Sequence, residues 1–131
     1  MSHLATHIHV FLQPHIRDIA GEKVADGAAK YFGMQTGRVK SAKIFSVLYD
    51  LPAAQIRQFA EFCLPDAVIN EVTLNEFRRE AGYRSFITVA KLPGVTDDEG
   101  TSAQKSLADF LNAELDTQTQ HIYTKEVFLL E

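Results

Sequence analysis

Between His7 and Gln13 apolar and polar positions alternate, with Ile8, Val10 and Leu12 on one side and His7, His9 and Phe11 on the other. That period predicts a half-buried strand, ended by Pro14. The next apolar positions, Val24, Ala28, Tyr31 and Phe32, fall at i, i+4, i+7 and i+8 and so share one face of a helix. Asp18 is the expected N-cap, because its carboxylate can accept from unpaired first-turn amides, and Gly33 is the expected stop. Val39 to Leu51 is rich in β-branched and aromatic residues and predicts a long strand. Asp50-Leu51-Pro52 opens a second helix whose inner stripe is Ile56, Phe59, Ala60 and Cys63. Leu64-Pro65-Asp66 breaks it, and Ala67 to Leu74 predicts a third strand.

The polar run Asn75 to Tyr83 is expected to be a connector, after which the opening pattern returns. Phe86 to Leu92 predicts a strand with Ile87 and Val89 on one face, followed by Pro93. Adding 79 to Pro14, Asp18 and Gly21 gives Pro93, Asp97 and Gly100. Adding 79 to Val24, Ala28, Tyr31 and Phe32 gives Ala103, Leu107, Phe110 and Leu111, again one helix face. A strand from Thr119 to Leu130 follows, and its "HIYT" echoes the "KIFS" that begins at Lys43. A proline, an aspartate, a glycine and a helical stripe agreeing at one offset point to an internal duplication. The organisation read from this is an α+β chain: a first unit over 1–74 (βαβαβ), a connector over 75–83, and a second, incomplete unit over 84–131 (βαβ). By the same offset, the second helix and third strand of copy two would lie beyond Glu131. The closing "VFLLE" strand therefore needs cover, supplied either by further chain or by an oligomer.

Residues Pro93, Gly94, Val95, Asp97 and Gly100 form a Pro-Gly-Val-x-Asp-x-x-Gly turn ahead of an amphipathic helix. This resembles the opening of PurS proteins, the small component of phosphoribosylformylglycinamidine synthase. The later strand with Ile122 and Lys125 is similar to the family's second strand, and "DAVINEV", Asp66 to Val72, to its closing strand. The first copy keeps Pro14, Asp18 and Gly21 but has His15 in place of the glycine after proline. The resemblance spans nearly the whole chain. It implies two tandem PurS-like units that form an antiparallel sheet with helices packed on one face. It also implies a role in purine biosynthesis, in a ligase that uses ATP and glutamine to convert formylglycinamide ribonucleotide to its amidine. In such a complex PurS-like units hold the synthetase and glutaminase components together. The resemblance makes those two components the expected partners, with a homo-oligomer also expected. Pro93, Gly94, Asp97, Gly100 and Lys125 become the expected partner interface.

Composition narrows the classes. The 131 residues are the size of one ordinary domain, and 46% hydrophobic content suits a globular chain. A formal charge of −4 argues against a nucleic-acid partner. No apolar run is long enough to span a membrane, and no secretion signal is evident, so a cytoplasmic protein is expected. Cys63 has no partner for an internal disulfide.

Candidate chemistry is sparse, and neither a catalytic residue nor a cofactor is expected. His7 and His9 share a strand face, and with His121 nearby they could bind a metal. The plainer reading places them on the solvent face of a sheet. Asp97, Asp98 and Glu99 could hold an acid–base pair, but a helix start explains them better. Cys63 as a nucleophile would need a neighbouring base, and its stripe position favours core. Arg78, Arg79 and Arg84, set among Glu76 and Glu80, could meet an acidic partner or simply be solvated. No phosphate-binding loop, dinucleotide fingerprint or nucleophile elbow is present. Two other functions stand beside the assembly role: a regulatory domain that binds an amino acid or nucleotide between units, and a metal enzyme using the histidines.

Overall fold

A computed structural model describes residues 6–63, 70–75, 82–92, 95–116 and 118–131. In chain order the elements are β1 (Thr6–Leu12), α1 (Ile19–Phe32), β2 (Val39–Val47), α2 (Ala53–Phe62), β3 (Asn70–Leu74), β4 (Ser85–Ala90), α3 (Asp98–Leu111) and β5 (Ile122–Leu130). The five strands form one antiparallel sheet in the order β3-β1-β2-β5-β4. The α+β class and antiparallel sheet agree with the sequence reading.

The alternation read in β1 sets the two faces of the sheet. Ile8 pairs with Phe45, and Phe45 with Thr124, so these residues lie on one face. The helices lie on that face. Ile56, Phe59 and Ala60 of α2 and Ala103 and Leu107 of α3 join Ile8, Phe45, Val47 and Ile122 in the main core. α1 is tied to the same face through Asp18 and Ser41. Each fully buried Ile, Leu or Phe in this cluster contributes roughly 1.5–3 kcal/mol, so the cluster dominates stability.

The other face is not the open solvent face expected. Phe11, Ala42, Val127 and Leu129 are buried there, with Tyr83 packed against them, and His9 is buried on the same side at 6% exposure. Lys40 Nζ lies 5.6 Å from the centroid of the Phe11 ring.

The helix boundaries follow the sequence signals closely. Asp18 caps α1, and Gly33 ends it at φ 63°, a left-handed conformation that glycine adopts without a Cβ penalty. α2 begins directly after Pro52. Two expectations need correction. Cys63 is exposed rather than on the inner stripe, because α2 ends at Phe62 and the stripe stops at Ala60. Tyr31 and Phe32 are 72% and 77% exposed, because among the described residues no second helix packs beside α1. Leu64-Pro65-Asp66 and the start of the third strand lie outside the described residues.

Candidate assembly surface

The two β-α-β stretches are built by one device. In the first, Asp18 Oδ1 accepts from Gly21 N at 2.8 Å and from Ser41 Oγ at 2.7 Å, and Oδ2 accepts from Ser41 N at 2.6 Å. In the second, Asp97 Oδ1 accepts from Gly100 N at 2.9 Å and from Thr124 Oγ1 at 2.8 Å, while Oδ2 accepts from Thr124 N at 2.5 Å. One carboxylate thus caps the helix and ties it to the following strand.

The glycines explain why the turn has its spacing. A Cβ on Gly21 would stand 2.1 Å from the Val39 carbonyl oxygen, and one on Gly100 would stand 2.1 Å from that of Ile122. Only glycine lets the helix backbone come so close to the strand. Burial raises the Asp97 carboxyl pKa, but hydrogen bonds from Thr124 and Gly100, with Lys91 nearby, outweigh it and hold the group below its ordinary value.

The strand pairing repeats as strictly as the turns. Moving β1 by 79 positions and β2 by 83 carries the pairs Thr6↔Val47 and Phe11↔Ala42 onto Ser85↔Leu130 and Ala90↔Lys125. The centre is Lys43 opposite Glu126, which the 83-position step exchanges. Across it, Leu48 N donates to His121 O and Glu131 N to Arg38 O, equivalent bonds on opposite sides. This is the register of an approximate two-fold between the stretches. It corrects one sequence match: the counterpart of Ile122 is Val39, so "HIYT" does not align with "KIFS", and β5 begins at Ile122 rather than Thr119.

Four extra residues therefore lie between α3 and β5, and Gln104 accommodates them. It is buried at 1% exposure. Its Oε1 accepts from His121 N at 2.6 Å, Ile122 N at 2.9 Å and Gln120 Nε2 at 3.2 Å. Its Nε2 donates to Thr119 O at 3.3 Å. The position 79 earlier is Ala25. Sequence reading missed Gln104, as it missed Ser41 and Thr124; a glutamine beside an apolar stripe carries no signal that it will be buried.

Of the expected interface residues, Asp97 and Gly100 are buried and committed to the turn. Lys125 is partly buried on the sheet face away from the helices, paired across the ladder with Ile44 and Ala90. Pro93 and Gly94 lie outside the described residues, as do Arg78, Arg79, Glu76 and Glu80. Arg84 is exposed, its amide donating to Leu130 O. Asp98 and Glu99 are exposed in the first turn of α3, and Glu99 pairs with Lys43 at 2.5 Å.

The histidines do not converge. His7 Nδ1 lies 2.8 Å from Ser46 Oγ, whereas His121 packs edge-on against Tyr49 and lies 3.5 Å from Asp116. Burial lowers the pKa of both His7 and His9, with Lys125 adding to the effect at His7 and His7 at His9. Among the described residues, no three His, Cys, Asp or Glu side chains stand close enough to hold a metal. The little burial Cys63 has pushes its thiol pKa up, against thiolate formation. No described helix is long and apolar enough to cross a membrane.

Several large apolar side chains are also exposed. Tyr31, Phe32 and Met34 at the end of α1, and Phe86, Ile87, Val89 and Leu92 along and just beyond β4, are all more than half or about half exposed. Compared with known proteins, the chain matches no family model, no curated protein and no solved structure.

Proposed function

We propose that this chain is a non-catalytic assembly module of the PurS kind, made of two tandem units, that holds the synthetase and glutaminase parts of phosphoribosylformylglycinamidine synthase together. The observation that carries the reading is the twin Asp–Gly turn. The residues that suggested the resemblance, Asp97 and Gly100 with Asp18 and Gly21, are the ones that lock each helix to its strand. A motif spent on architecture fits a module whose job is shape. The exposed apolar residues of α1 and β4 supply surface for association. Affinity purification of the chain from its own cells tests this: a formylglycinamidine synthetase and a glutaminase should be recovered in stoichiometric amounts. Recovery of neither would end the proposal.

A regulatory binding role has one observation in its favour. A cleft of about 550 Å³ lies beside the start of α1, lined in part by Arg17, Asp18, Arg38, Lys40 and Tyr83. Its cations are largely engaged, Arg17 with Glu22 and Arg38 with Glu131, which favours the assembly reading. A saturable rise in melting temperature with an amino acid or nucleotide would reverse that preference.

A further inference from the structure

The register relating the two β-α-β stretches also relates what should cover them. In the first, β3 pairs with the outer edge of β1, and α2 lies against α3. Ile56, Phe59 and Ala60 of α2 share one core with Ala103 and Leu107 of α3, and Phe110 packs against it. The residues 79 positions before Ala103, Leu107 and Phe110 are Val24, Ala28 and Tyr31 of α1. The strand matching β1 is β4. Among the described residues nothing pairs with the outer edge of β4, and no helix lies beside α1 in the manner of α2.

This flank is apolar although it is exposed. Ile8 is fully buried, while Ile87, at the equivalent place in β4, is 50% exposed. Val89 is 52% exposed, and Tyr31 and Phe32 are exposed more fully still. Ser85 to Ala90 contains no charge and no proline, the residues with which proteins usually guard a free strand edge.

We infer that the flank formed by α1 and the outer edge of β4 is a docking site for a helix followed by a short strand, supplied by another protein segment of the α2–β3 kind. The helix would present apolar residues at i, i+3 and i+4, as Ile56, Phe59 and Ala60 do, against Val24, Ala28 and Tyr31. The strand would add antiparallel to β4, as β3 adds to β1. A lipid or small ligand would satisfy the side chains but leave the ladder edge unpaired. The inference rests on the internal register and stands whether or not the purine reading holds.

The test uses the full chain with its own Tyr49 to Asn75 appended after Glu131, the residue equivalent to Leu48. Hydrogen exchange of the outer β4 amides should slow at least tenfold, the appended segment should resist proteolysis, and the protein should sediment as a monomer. Carrying Ile56→Asp and Phe59→Asp in the appended copy alone should remove the protection, as should Ile87→Asp in the parent chain. An appended segment that is digested while β4 exchange stays unchanged would overturn the inference. So would an unmodified chain that sediments as a dimer with β4 already protected, since a second copy would then occupy the flank.

Discussion

The two β-α-β stretches share strand register, helix cap and glycine approach, yet one is a packed core and the other an open flank. Ile8 and Ile87 occupy matching ladder positions, and only Ile8 is fully buried. Leu107 is fully buried, while its counterpart Ala28 is only partly buried. Backbone architecture is therefore set within each stretch, by the turn. The hydrophobic driving force comes from outside it, from the α2–β3 segment that, among the described residues, has no counterpart over α1 and β4.

The sharpest way to break this comparison is to make the same change on both sides. Ile8→Ala should cost about 3 kcal/mol, the usual range for a fully buried isoleucine, while Ile87→Ala should cost well under half of that. Urea denaturation of both variants checks it, and equal losses would mean that the flank is already covered in solution.

Next come the glycines, where the two sides should agree. Gly21→Ala and Gly100→Ala would each gain up to ~1 kcal/mol of helix propensity. Each would also force a Cβ onto a carbonyl 2.1 Å away, so a net loss of about 2 kcal/mol is expected in both. Thermal melts that show one variant unaffected would refute the equivalence of the turns.

The cap carboxylates should behave alike in size, with Asp18→Ala and Asp97→Ala each costing about 1–2 kcal/mol. Asp97 also carries a pH signature. Its folded pKa lies below the unfolded value of about 4. Its stabilisation is thus fully present above that value and is lost as the pH falls through the folded one. Acid titration of stability should be shallower below pH ~4 in Asp97→Ala than in the parent.

Smaller effects separate open from crowded positions. Among the described residues no neighbour lies within 4 Å of a Cβ placed on Gly27, so Gly27→Ala should stabilise α1 by up to about 1 kcal/mol. Lys43→Gln should change stability by less than ~0.5 kcal/mol, with that small effect fading in salt, because its pairing with Glu99 is partly solvated.

Much of this was legible in the chain. The 79-residue offset located both turns because their chemistry is local: a carboxylate, a glycine three residues on, and a helical stripe. The stripe Ile56, Phe59, Ala60 was legible for the same reason. What failed was non-local. "HIYT" resembles "KIFS" in side chains, but register is fixed by where Gly100 meets the Ile122 carbonyl, which composition does not encode. Tyr31 and Phe32 sit on the proper stripe, yet burial depends on a neighbour their own sequence does not specify. His9 alternates like an outward residue but lies on a face that is itself covered.

Gln104 has an effect on how this chain can change length. By taking the amides of His121 and Ile122 on one carboxamide oxygen, it anchors the far end of the α3–β5 loop from inside the helix. The middle of the loop is pinned as well, at Leu115, which packs against the main core, and at Asp116, whose carbonyl oxygen accepts from Tyr49 Oη at 2.6 Å. The exposed pair Ala113 and Glu114, ahead of those anchors, is therefore where added residues should disturb β5 least.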